Sequence, residues 1–164
     1  MFRVEEQGQF RGVVTFLDLR ANAGFLKATH VEASAGIEAT KLEHQHRAVY
    51  AQESATTAAA GDDRVIHVVK GAAGTIQSFK AGCVVANIGD SVVTVDLHKN
   101  GASILVAAIE VDSGDAAYAL VAGVIDTDTV VADDVLEVVV TVAVGTGTLG
   151  KGVFAYVDIH EDVD

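Results

Sequence analysis

The sequence predicts an all-β protein: an antiparallel β-sandwich, jelly-roll-like, behind an N-terminal extension. Three observations predict it. From residue 64 onward the hydrophobic residues recur with period two and almost nowhere with period 3.6. Asn100-Gly101 lies between two such runs, and this pair suits a two-residue type I′ hairpin because both positions need positive φ. Gly- and Asp-rich turns separate the runs at the short spacing of sandwiches and jelly rolls.

Taken in chain order, the runs place strands near Arg64–Lys70, Thr75–Lys80, Cys83–Ala86, Ala117–Val124, Val135–Val144 and Gly152–His160. Ser91–Val111 adds a hairpin. Its turn sets Lys99 opposite Ala102, His98 opposite Ser103, Leu97 opposite Ile104, Val95 opposite Val106 and Val93 opposite Ala108. One face of that ribbon is apolar, and the other carries Thr94, Asp96, His98 and Ser103, as a half-solvated sheet requires. In Val135–Val144, Leu136, Val138, Val140, Val142 and Val144 share one face. The opposite face (Val135, Glu137, Val139, Thr141, Ala143) is only partly polar and suits contact with a second layer or subunit. The chain has no proline, one of the devices that protects sheet edges, so its edges are expected to be covered.

Residues 1–60 read as an extension with little core of its own and residues 61–164 as the sandwich. Within the extension, Gly12–Leu19 reads as a strand, and Lys41–Gln52 is open between a short helix and a strand.

Charge divides near that boundary, at residue 50. Residues 1–50 hold six basic and six acidic residues, whereas residues 51–164 hold five basic and seventeen acidic ones and carry the whole net charge of -12. An acidic body repels phosphate backbones and anionic membranes, so neither nucleic acid nor membrane is an expected partner. The neutral first third is the expected docking segment. The opening residues are charged where a secretory leader is apolar, and the longest apolar run is too short to span a bilayer; the expectation is a soluble protein made in a cytoplasm. The single cysteine, Cys83, reads as a small core residue.

Val144–Val153 (V-G-T-G-T-L-G-K-G-V) matches G-x-G-x-x-G and all but the last position of G-x-x-x-x-G-K-[ST]. A phosphate loop, however, must open a helix whose N-terminal N–H groups and dipole hold the anion. Here Val153, Ala155, Val157 and Ile159 alternate with Phe154, Tyr156, Asp158 and His160, which is a strand, and Gly152 replaces the Mg²⁺-binding hydroxyl. The stretch reads as a connection between the last two strands.

Asp126, Asp128, Asp133 and Asp134 resemble part of a calcium loop but lack its central glycine and bidentate glutamate, so they read as a solvated turn. Extended backbone would set His44 and His46 on one face, a start toward a two-imidazole metal site whose third ligand the sequence does not fix. His30, His67, His98 and His160 read as scattered, half-buried strand residues. Tyr50, Tyr118 and Phe154 are the candidates for a sugar-stacking platform, poorly supported at 5% aromatic content. No nucleophile elbow, H-E-x-x-H or Cys/His set occurs, so the reading is non-enzymatic, with no catalytic residue, cofactor or resident metal assigned.

Across roughly residues 60–162, the hairpin V-D-L-H-K-N-G (Val95–Gly101) and the terminal G-T-G-T-L-G-K-G (Gly145–Gly152) resemble tailed-bacteriophage virion proteins of the head-decoration or head-fibre type. The resemblance implies a structural protein on the outer surface of the virion. It would bind the major capsid protein of the assembled head, commonly as a homotrimer, and reinforce it without catalysis. The alternative is a fibre or surface adhesion module that presents a loop site to a host receptor or glycan.

Overall fold

A computed structural model describes residues 44–162. The expected strand Gly12–Leu19 and His30 lie outside the described residues. Ten strands follow one another: β1 (His44–Ala51), β2 (Arg64–Val68), β3 (Ala73–Val85), β4 (Val92–Lys99), β5 (Ala102–Ser103), β6 (Ile109–Val111), β7 (Val121–Ala122), β8 (Thr129–Val131), β9 (Val135–Ala143) and β10 (Lys151–Glu161). They form two five-stranded antiparallel sheets. The first runs β1-β10-β3-β7 with β8 also on β3, and the second runs β2-β9-β4-β5 with β6 also on β4.

The pairing is nested: β1 with β10, β2 with β9, β3 with β8, β4 with β6. A long antiparallel ribbon wound on itself gives this order. With β5/β6 and β7/β8 each counted as one interrupted strand, eight positions fill two four-stranded layers, which is jelly-roll topology. The all-β sandwich expected from the period-two pattern is therefore the fold.

The core lies between the layers. Tyr50, Ala155, Val157, Ile159, Phe79 and Ala81 of the first sheet meet Leu136, Val138, Val140, Val93, Val95 and Leu97 of the second, all almost completely buried. Each large apolar side chain removed from water in this way contributes about 1.5–3 kcal/mol.

Several boundaries differ from the sequence expectation. β1 belongs to the body: it pairs along its whole length with β10, and Tyr50 is a core residue, so residues 44–60 are not part of an extension. The open choice between helix and strand there resolves to strand. The separate runs Thr75–Lys80 and Cys83–Ala86 are one strand, because Gly82 continues the ladder opposite Phe154. A Cβ at Gly82 would fall 2.1 Å from the Ala119 carbonyl oxygen, so this glycine marks close packing rather than a turn. Of Ala117–Val124, only Val121–Ala122 is regular strand.

The Asn100-Gly101 turn has the expected geometry, with φ of 52° and 83°, and pairs His98 with Ser103 and Lys99 with Ala102. Beyond it the register shifts. Val95 faces Ile109 and Val93 faces Val111, not Val106 and Ala108. The cause is a detour in which Leu105 turns into the core and bridges Ile125 while the Val106 N–H donates to the Val124 carbonyl.

Candidate functional site

β10 alternates strictly, with Val153, Ala155, Val157 and Ile159 inward and Phe154, Tyr156, Asp158 and His160 outward. This continuous strand begins at Lys151, where a phosphate loop would begin a helix. The loop before it spends its N–H groups on the protein. Thr146 donates to the Asp90 carboxylate, Thr148 to the Ile88 carbonyl at 3.0 Å, Gly150 to Asn87 Oδ1 at 2.8 Å and Gly152 to the Thr56 carbonyl at 3.0 Å. A Cβ at Gly147 would sit 1.6 Å from the Ile88 oxygen. The glycines are there for close backbone approach.

The aspartate stretch is likewise structural. Asp134 is buried; its Oδ2 accepts the Val131 N–H at 2.9 Å and its Oδ1 accepts an Asn100 amide hydrogen at 2.7 Å. The Val131 N–H holds the Asp134 carboxyl below the usual carboxylate range against the opposing effect of desolvation, helped by Asn100 and Lys99. Asn100 returns the contact through Val135. Asp126 and Asp128 are exposed and take no part.

At one end of the sandwich the interior stripe of β1 turns polar. His44 and His46 do share a face, continuing the line of Ala48 and Tyr50, and their rings stack at 5.9 Å. β2 adds His67, its ring 5.6 Å from that of His46, and β10 adds Glu161, only 2% exposed. Glu161 Oε1 lies 2.5 Å from His67 Nε2 and 3.9 Å from His46 Nε2, while its Oε2 accepts the N–H groups of Gly71 at 2.8 Å and Lys70 at 3.1 Å. Burial pushes the Glu161 carboxyl up, but the Gly71 N–H, His67 and the Lys70 N–H outweigh it and hold it below its ordinary value. Among the described residues no group of three or more His, Cys, Asp or Glu side chains is arranged to hold a metal ion. The cluster is a hydrogen-bonded polar cap that joins the two sheets. His67, read as a single scattered residue, is one of its members.

Cys83 is buried, and burial together with the nearby Asp115 charge pushes its thiol up to about 11, far from a reactive thiolate. The three aromatic candidates are not brought together: Tyr50 is 1% exposed in the core, Phe154 lies outward on β10, and Tyr118 stands on the connection before β7.

The outward faces of the two sheets differ in chemistry. On the first, the register lines up Ala51–Phe154–Gly82 and Val49–Tyr156–Lys80–Ala122 as adjacent rows. The next row is Arg47–Asp158–Ser78, where Arg47 donates twice to Asp158 at 2.7 and 2.9 Å, Ser78 donates to it at 2.8 Å, and the guanidinium lies 4.1 Å over Tyr156. On the second sheet the rows are Val65–Glu137–His98–Ser103, Val139–Asp96 and Thr141–Thr94–Glu110. Both faces are mixed: the second adds the apolar rows Val68–Val135 and Val92–Ala143 to its polar groups, as the partly polar outer side of β9 predicts, while the first carries the aromatic pair Phe154 and Tyr156.

No protein-family model, curated protein or solved structure matches this chain. No helix among the described residues is long and apolar enough to cross a membrane.

Proposed function

We propose that this protein is a structural virion component that decorates the outer surface of an assembled tailed-phage head and stabilises it by contact. The observation that supports the reading most is the outward face of the first sheet, where two adjacent rows present Val49, Ala51, Phe154, Tyr156 and Ala122 with Lys80. An antiparallel sheet facing water alternates apolar-in with polar-out, and rows of this composition suit a second protein surface. A decoration protein needs no chemistry. It binds the lattice and not the separated subunits, so mass action over many repeated sites reinforces the assembled state. The resemblance of the Val95–Gly101 hairpin and the Gly145–Gly152 loop to head-decoration proteins points the same way. The major capsid protein would be its partner, and a homo-oligomer, a trimer by that resemblance, its working form.

The test is addition of the full chain to expanded phage heads stripped of their own decoration protein, followed by sedimentation and stoichiometry. Saturating binding at a fixed number of copies per capsid subunit, absent with unassembled capsid protein, is expected. Failure to co-sediment, with binding to a glycan panel instead, overturns the reading in favour of an adhesion module.

A further inference from the structure

The connection through β7 carries a second apolar surface, more exposed than the rows beside it. From Tyr118 to Ile125, exposure alternates strictly. Ala119, Val121, Gly123 and Ile125 turn inward, and Tyr118, Leu120, Ala122 and Val124 turn out. The outward set contains no polar side chain except the Tyr118 hydroxyl. Tyr118 is 69% exposed, Val124 66% and Leu120 45%, and Val106, hydrogen-bonded through its N–H to the Val124 carbonyl, is 66% exposed. Tyr118 has φ of 62°, a conformation uncommon for a tyrosine, fixed by its N–H donating to the Cys83 carbonyl. The backbone therefore accepts strain at the residue whose ring is most exposed.

The flanks of this stripe are of one sign. Asp112 and Asp115 precede it and Asp126 and Asp128 follow it, and from Gly101 to Gly150 the chain holds eight acidic residues and no Lys, Arg or His. Lys80, opposite Ala122 in the ladder, is the cation facing the stripe across the sheet. Two copies meeting stripe to stripe about a twofold axis would set carboxylates against carboxylates, which opposes self-association.

We infer that the Tyr118–Val124 stripe with Val106 docks a different protein, one whose surface offers an apolar strip rimmed by Lys and Arg. Tyr118 is its anchor, since exposed tyrosines supply large contact area at low entropic cost. The assignment rests on the decoration reading only in naming the capsid as the owner of that strip.

The experiment uses the full chain and two probes. One is a synthetic strand peptide of alternating Val and Lys; the other is the stripped, expanded heads. Tyr118→Ser/Leu120→Ser/Val124→Ser leaves net charge unchanged, and Val65→Ser/Val68→Ser is the matched control on β2; circular dichroism and thermal midpoints establish that both fold. The expected result is that the stripe variant binds both probes at least about tenfold more weakly and the control binds as the parent does, with added salt weakening the parent. Peptide binding with this pattern and no head binding removes the capsid as partner and keeps the surface. Equal peptide binding by stripe variant and parent overturns the inference. So does a solution mass for the parent that falls in the stripe variant alone, which would make a second copy the occupant.

Discussion

The two outward faces of this jelly roll are built from the same antiparallel ladder and yet differ in the kind of side chain they present. The face of the second sheet gathers the carboxylates of Asp96, Glu110 and Glu137 in its central rows and has only Val and Ala as apolar neighbours: Val65, Val68, Val92, Val135, Val139 and Ala143. The face of the first sheet sets Val49, Ala51, Phe154 and Tyr156 in adjacent rows beside Lys80 and tethers Arg47 to Asp158. The difference teaches that period-two alternation specifies which residues go in, while the composition of those left out specifies what the sheet meets.

Four measurements break or sharpen this comparison. The largest effect is expected at Gly82, where any side chain meets the Ala119 oxygen and the Phe154 ring. Gly82→Val should lower stability by about 3 kcal/mol in denaturant unfolding, whereas Val139→Thr on the opposite face should cost less than about 1.5 kcal/mol.

Glu161 comes next, because it ties β10 of the first sheet to β2 of the second. Glu161→Ala leaves the Gly71 and Lys70 N–H groups without their acceptor and should cost about 2 kcal/mol. Its pH dependence has a definite sign. Because the folded carboxyl titrates below its unfolded value of about 4.3, its contribution is full above that value and fades as pH falls through the folded one. Glu161→Gln should flatten this acid limb in pH-resolved unfolding curves, and an unchanged limb would assign it to other carboxylates.

Asp158→Asn, on the first face, should cost about 0.5–1 kcal/mol, since the Arg47 pair is partly exposed and solvent screens it. NMR titration should find the Asp158 carboxyl below the usual range, held there by Arg47 against desolvation and with help from Ser78. The smallest effect is expected on the second face, where Thr141→Ser should move stability by less than about 0.5 kcal/mol and leave binding to heads unchanged.

Much of the fold was legible because the strongest runs, Val92–Lys99, Val135–Ala143 and Lys151–Glu161, place valine, leucine and isoleucine on one face with turns that name their own geometry. β1 was harder: its inward residues are His44, His46, Ala48 and Tyr50, half of them polar, so no apolar alternation marks it. The register beyond Ile104 was hidden because Leu105 is satisfied by Ile125, twenty positions on, and not by its hairpin partner. The polar cap was illegible for the same reason, since His67 and Glu161 stand 94 residues apart. The signal that was present, histidines at alternate positions followed by a strand histidine, needed the β1–β10 pairing to complete it.

The pairing of His44 with Glu161 brings the start and finish of the described body to neighbouring strands. Because β10 also carries β3 on its other edge, losing that one strand would strip β1 and β3 of their shared partner at once.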